Sequence, residues 1–235
     1  MDAARAVLAA SGIDHLGLFV AAGILLNLTP GPDVLYILAQ GAKSGARAGS
    51  AAALGIVAGC CVHITAAALG VSALLAASST AFTALKWLGA AYLAYVGWGM
   101  LRTKRAAKTI ATHAYASRAA GQQSLRTIFI NGFWTNTLNP KVALFFLAFV
   151  PQFIAPDASH KTLAFFMLGL VFNLNSLWVN LGYGWLGASM GAAFAGAQSP
   201  RWVWVRQRLH WLERAAGAMF IGFGLKLALM DNPSH

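Results

Sequence analysis

The sequence predicts an all-α, polytopic membrane protein: six transmembrane helices in a 3+3 inverted repeat, with the first and fourth helices broken. Three observations predict it. The chain is 58% hydrophobic and only 10% charged, with mean hydropathy +0.63, whereas soluble domains average about 25% charged residues. Two apolar runs long enough to cross a bilayer are each interrupted by proline near their centre. Lys and Arg gather in alternate loops. Residues 1–235 are read as one membrane domain, with repeat one over about 16–101, a basic loop over 102–126 and repeat two over about 127–230.

Span one, Leu16–Gln40, has the length for a crossing, since about 20 apolar residues cover the hydrocarbon core. Its centre reads Asn27-Leu-Thr-Pro-Gly-Pro-Asp33. Pro30 and Pro32 remove two backbone donors and clash with the preceding turn, and Gly31 between them gives no support. The helix must break here, and in lipid the freed carbonyls need partners. Asp33 follows at membrane depth. Burying a carboxylate there costs roughly 2.5–3.5 kcal/mol, so it marks a functional position. A loop over Gly41–Ala48 carries Lys43 and Arg47.

Span two, about Gly49–Leu74, places Gly55, Gly59 and His63 on one helical face. The glycines allow close approach of another helix. His63 reads either as a hydrogen-bonded histidine inside the bundle or as a proton carrier, for which its ordinary pKa near 6.5 is suited. Cys60 and Cys61 are adjacent in an apolar run and imply packing, with no disulfide framework. Residues 75–81 form a short turn. Span three, about Phe82–Leu101, has Lys86 and Trp87 near its start as interfacial anchors. The segment Arg102–Arg126 then holds Arg102, Lys104, Arg105, Lys108, Arg118 and Arg126 without an acid.

Span four, Thr127–Val150, repeats the break: its centre reads Asn136-Thr-Leu-Asn139-Pro140-Lys141. Aligning Pro32 with Pro140 sets Asp33 against Lys141, an acid in one copy facing a base in the other. Interrupted helices at corresponding places in two halves point to a transporter's binding site. Span five, about Lys161–Met190, carries Asn173, Ser176, Asn180 and Tyr183 on one face, either as interhelical glue or as a cavity lining. Arg201, Arg206 and Arg208 follow in a loop, and span six covers about Leu212–Met230.

Orientation follows from charge. If the N-terminus is outside, the loops after spans one, three and five and their margins hold 12 of the 17 basic residues. The positive-inside rule then places both termini outside. Met1–His15 has no basic region leading into a short apolar core and reads as a retained terminus. The net charge of +11 is thus a topology signal facing membrane lipids. No basic and aromatic interleaving accompanies it, so no nucleic-acid partner is expected.

These residues resemble a known family. The stretches Thr29-Pro-Gly-Pro-Asp33, the Gly41, Gly45, Gly49, Gly55, Gly59 series, Gly89-Ala-Ala-Tyr-Leu-Ala-Tyr-Val-Gly97, Asn139-Pro-Lys-Val-Ala-Leu-Phe-Phe146 and Phe149-Val-Pro-Gln-Phe153 are similar to the lysine exporter and homoserine/threonine exporter family of bacterial inner-membrane proteins. The likeness covers nearly the whole chain. It implies amino-acid efflux driven by the proton gradient. Members often carry Asn after Pro-Gly-Pro, where this chain has Asp33.

The expected substrate site joins Asn27, Pro30, Gly31, Pro32 and Asp33 of the first break to Asn136, Asn139, Pro140 and Lys141 of the second, with Asn173 and Asn180 from span five. Asp33 suits a substrate ammonium and Lys141 a carboxylate, with the half-helix N-termini adding positive ends. Asp33 and Lys141 can also pair directly as a lock between the repeats. Asp33 and His63 are the candidates for proton coupling. No Walker loop or other cofactor motif is present, so no cofactor is expected, and a homo-oligomer stays open. A divalent metal exporter is the rival reading. It would want clustered His, Cys and Asp ligands, and Cys60 with His63 is a thin site. An enzyme would need paired carboxylates or a nucleophile with its base. The chain has only six acids, and of these only Asp33 lies deep in a span.

Overall fold

The computed structural model describes residues 12–77, 79–102, 123–155, 158–194, 214, 217–219, 221–222, 224–225 and 228–229. Among them the structure is helical, apart from turns and one antiparallel bridge between Ile13 and Ile154. The elements are α1 (Leu16–Leu28), α2 (Pro32–Ser44), α3 (Ala46–Ala77), α4 (Ser79–Arg102), α5 (Leu125–Thr137), α6 (Pro140–Leu144) and α7 (Lys161–Phe194). A π-helical turn, Phe145–Phe149, and a 3₁₀ turn, Val150–Phe153, continue α6. The described residues from 214 to 229 are helical too.

Both breaks form where proline demands them. Each proline takes the first position of the new helix, where its missing N–H costs nothing: Pro32 starts α2 and Pro140 starts α6. Helices α1 and α2 are bent by 55° at their break. The Asn139 side chain caps α6 by accepting from the Lys141 N–H at 3.0 Å. Gly31, before Pro32, offers no such cap.

Two expected loops are much shorter than the sequence suggested. In place of a loop over 41–48, α2 runs to Ser44 and α3 starts at Ala46, with Gly45 alone between them at φ +84°. Only glycine holds that left-handed angle without strain. In place of a turn over 75–81, α3 continues to Ala77 and α4 begins at Ser79. The residues there are mostly Ala and Ser, without Gly or Pro, and nothing in them stops a helix. Residues 1–11, the basic segment 103–122 and residues 195–213, with Arg201, Arg206 and Arg208, lie outside the described residues.

The segments Ala46–Gly70 and Lys161–Gly191 are long and apolar enough to cross a membrane, and the bent α1–α2 pair adds a third crossing if taken as one span. Helix α3 is central. A Cβ on Gly55 would run into the Phe129 carbonyl of α5, and one on Gly49 would sit 2.7 Å from Gly184 Cα of α7. Backbone contact this close needs the small residues found at helix crossings in membranes. The core falls into two clusters. One is aromatic, built on Phe19, Phe145, Phe146, Phe149, Phe165 and Phe172. The other joins Val34, Ile37, Ile56, Ile128 and Tyr183. Along the chain, both breaks fall between them. Large apolar side chains such as Leu170, Trp178 and Trp185 point outward from α7, as lipid contact requires.

Candidate functional site

The two breaks meet. Asn27, Gly31 and Asp33 from the first and Asn136, Asn139 and Lys141 from the second line one cavity, which Ser176, Asn180 and Phe172 of α7 close. Leu26, Thr29, Val34 and Val142 complete its wall. Its free space is about 20 Å³, room for only one or two waters when a water needs roughly 10–15 Å³.

Breaking α1 frees its last carbonyls, and those of Leu25, Leu26, Leu28 and Thr29 find donors. The Leu25 carbonyl accepts from Thr29 twice, from N–H at 3.1 Å and from Oγ1 at 2.7 Å. The Leu28 carbonyl accepts from the Tyr183 hydroxyl of α7 at 3.0 Å. The Leu26 and Thr29 carbonyls each accept from Lys141 Nζ at 3.0 Å. The lysine of the second break therefore caps the broken end of the first. Cations are favoured at a helix C-terminus, where the carbonyl ends carry partial negative charge.

The end of α5 is served in a similar way. The Asn136 carbonyl lies 2.9 Å from His63 Nε2 of α3, and because a carbonyl only accepts, that nitrogen carries the proton in this arrangement. Gly55 and Gly59, two turns and one turn earlier on the same face, let α3 approach Phe129 and Phe133 of α5. The Asn136 side chain then reaches across the break, and its Nδ2 donates to Asp33 Oδ2 at 2.8 Å.

Asp33 and Lys141 do not bond one another among the described residues: the carboxylate is held by Asn136 and the ammonium by two carbonyls. Their charges share one cavity without direct contact. Several polar atoms around it are buried and unpartnered in the structure, among them Asp33 Oδ1, Asn136 Oδ1 and Asn27 Nδ2. Two are acceptors and one is a donor.

Of the residues singled out from sequence, Pro30, Pro32 and Pro140 shape the breaks without lining the cavity. His63 stands behind Asn136. The α7 polar face divides: Ser176 and Asn180, bonded to each other at 2.9 Å, line the cavity, whereas Asn173 donates to the Val57 carbonyl and Cys61 Sγ of α3, both at 3.3 Å. Thr29 and Phe172 line the cavity without having been expected there, and Tyr183, expected as glue or cavity lining, bonds the Leu28 carbonyl. Thr29 sits within the proline motif and so had a signal. Phe172 looks like any apolar residue of a span.

A family model for LysE type translocators matches residues 24–231. An uncharacterized membrane protein of Pseudomonas aeruginosa is 35% identical over 221 residues, covering 92% of this chain and 96% of that protein. A homoserine/homoserine lactone efflux protein of Salmonella typhi is 29% identical over 211 residues, covering 89% and 94%. A leucine efflux protein of an Enterobacter species is 28% identical over 218 residues, covering 92% and 96%. No solved structure matches the chain.

Proposed function

The chain belongs to the LysE type translocator family, and on that footing we propose that it is a proton-coupled secondary transporter exporting amino acids or close derivatives from the cytoplasm. In this reading it sits in a bacterial inner membrane with six spans, three per inverted repeat, and both termini periplasmic. The single observation that carries it is the cavity between the breaks, where a fixed carboxylate and a fixed ammonium face one small space. Relatives named for homoserine and leucine efflux agree with such a substrate.

The free groups suit a zwitterion. Asp33 Oδ1 and Asn136 Oδ1 are open acceptors for an α-ammonium. Asn27 Nδ2 is an open donor for the carboxylate. Lys141 spends two of its three N–H bonds on carbonyls, which leaves the third for the carboxylate. A bound zwitterion keeps the site's net charge at that of the empty one, and each of its two charges meets an opposite one. The halves must part to admit it, as repeats rocking about a central site do. Asp33 and His63 are the groups able to carry the coupled proton, and Asn136 touches both.

A divalent metal exporter is the rival. Among the described residues no three His, Cys, Asp or Glu side chains come together as a metal site. The deciding experiment is uptake of a labelled amino-acid panel into inside-out vesicles, with and without an imposed pH gradient. Gradient-dependent accumulation of one class supports the proposal. No accumulation of any amino acid by folded, inserted protein refutes it.

A further inference from the structure

We propose that the Lys141 ammonium is a tethered cation that fills a monovalent-cation site at the broken end of α1. Three observations carry this. First, Nζ bonds the Leu26 and Thr29 carbonyls at 3.0 Å each, and a Cβ added to Gly31 would lie only 3.7 Å from it. The ammonium is therefore seated inside the unwound segment. Second, among the described residues no carboxylate is bonded to it there, and Asp33 Oδ2 accepts from Asn136. Third, the neighbouring carbonyls of Leu25 and Leu28 already have donors in Thr29 and Tyr183. Thr29 N–H, at 3.2 Å, is the only other donor to Leu26 among the described bonds.

Unwound carbonyls and half-helix C-terminal ends are where secondary transporters coordinate a loose Na⁺. Here the charge arrives on a side chain from the other broken helix. A cation at this place neutralises the carbonyl end of α1 and ties the two breaks together. Because the lysine supplies it covalently, no dissolved cation is needed, and Na⁺ is not bound here. Removing the side chain beyond Cβ leaves a space the size and charge of propylammonium.

The inference rests on the proposed transport site only for its location, and its test does not require transport. The wild type, Lys141→Ala and Lys141→Met are purified in detergent, and the midpoint of thermal unfolding is measured at equal ionic strength in choline, sodium and propylammonium chloride. The wild type is expected to melt at one temperature in all three. Lys141→Ala should melt lower in choline and recover in propylammonium, and in part in sodium. Lys141→Met should melt lower in all three, because its thioether fills the space without charge. A folded Lys141→Ala whose midpoint is the same in every salt overturns the proposal, as does a wild type stabilised by Na⁺ over choline. If Lys141→Ala yields no folded protein, the wild type decides: a requirement for Na⁺ overturns the tethered cation and indifference to its replacement by choline upholds it. A protein that exports no amino acid yet shows the expected melting pattern keeps this inference and loses the transport reading. The opposite pair of results does the reverse.

Discussion

Asn136 Nδ2 donates to Asp33 Oδ2 across 2.8 Å, so the last turn of α5 holds the first turn of α2. This bond, not an ion pair with Lys141, fixes the carboxylate in the cavity. It leaves Oδ1 open and places Asp33, the one acid deep in the helices among the described residues, beside the end of α5.

Under the proposed function Asp33→Asn is expected to abolish export while leaving the protein inserted, because it keeps the shape and removes the charge proposed to meet the substrate ammonium. Asn136→Ala should act by another route. It strands a buried carboxylate oxygen, and an unsatisfied buried group costs about 1–3 kcal/mol, more when charged. Vesicle uptake and thermal unfolding separate the two: the first variant loses transport at near-native stability, the second loses both. Export by Asp33→Asn with Lys141→Met at the wild-type rate would remove both charges from the mechanism.

Much of this site is legible in the sequence. Prolines at 30, 32 and 140 announced the breaks, and aligning them put Asp33 opposite Lys141. That register was informative about place but not about partners. Lysine has a four-carbon stem, and nothing in the sequence says that its ammonium lands on the carbonyls of Leu26 and Thr29. The Gly55, Gly59, His63 face was readable from its spacing, but its partner α5 was not, because a helical period names a face and not the neighbour it meets. Loop lengths misled for a similar reason. Stretches of Ala and Ser carry little stop information, so the expected turn at 75–81 became helix at both ends.

His63→Gln separates coupling from structure. The glutamine amide retains an N–H that can bond the Asn136 carbonyl, yet it takes up no proton in the physiological range. Exchange of labelled for unlabelled substrate across vesicles should persist, while accumulation driven by a pH gradient should fail. Unchanged gradient-driven accumulation would leave His63 as a cap for α5 and nothing more.

Helix packing gives a prediction independent of function. A side chain at Gly49 meets Gly184 Cα at 2.7 Å already at Cβ, whereas one at Gly70 meets nothing within 4 Å. Gly49→Leu should destabilise by about 1–3 kcal/mol, the usual cost of overpacking, and Gly70→Leu should stay within about 0.5 kcal/mol of wild type. Thermal unfolding of the purified variants reads both.

Tyr183 anchors the other free carbonyl of the first break, donating to Leu28 at 3.0 Å. Tyr183→Phe removes the hydroxyl alone and is expected to cost about 0.6 kcal/mol, up to about 1.7, the range found for hydrogen bonds between membrane helices. Because it loosens the end of α1 without touching a charge, substrate preference should be unchanged while the unfolding midpoint falls. A changed preference would mean that Tyr183 takes part in recognition.

Charge in the cavity also limits the substrate. Asp33 is its only acid and Lys141 its only base among the lining residues. A neutral amino acid brings one ammonium and one carboxylate, one for each. Lysine or arginine brings a second cation, which would be buried near Lys141 without a carboxylate of its own, and an uncompensated buried charge costs about 3–5 kcal/mol when a pair is broken. Leu26, Val142 and Phe172 offer apolar wall in its place. Unlabelled neutral amino acids with short or aliphatic side chains should therefore compete for uptake into inside-out vesicles, and lysine and arginine should compete at least about a hundredfold less well, since each 1.4 kcal/mol is a factor of ten. Equal competition by lysine would require a second anionic partner for its side chain and would move the ammonium subsite away from Asp33.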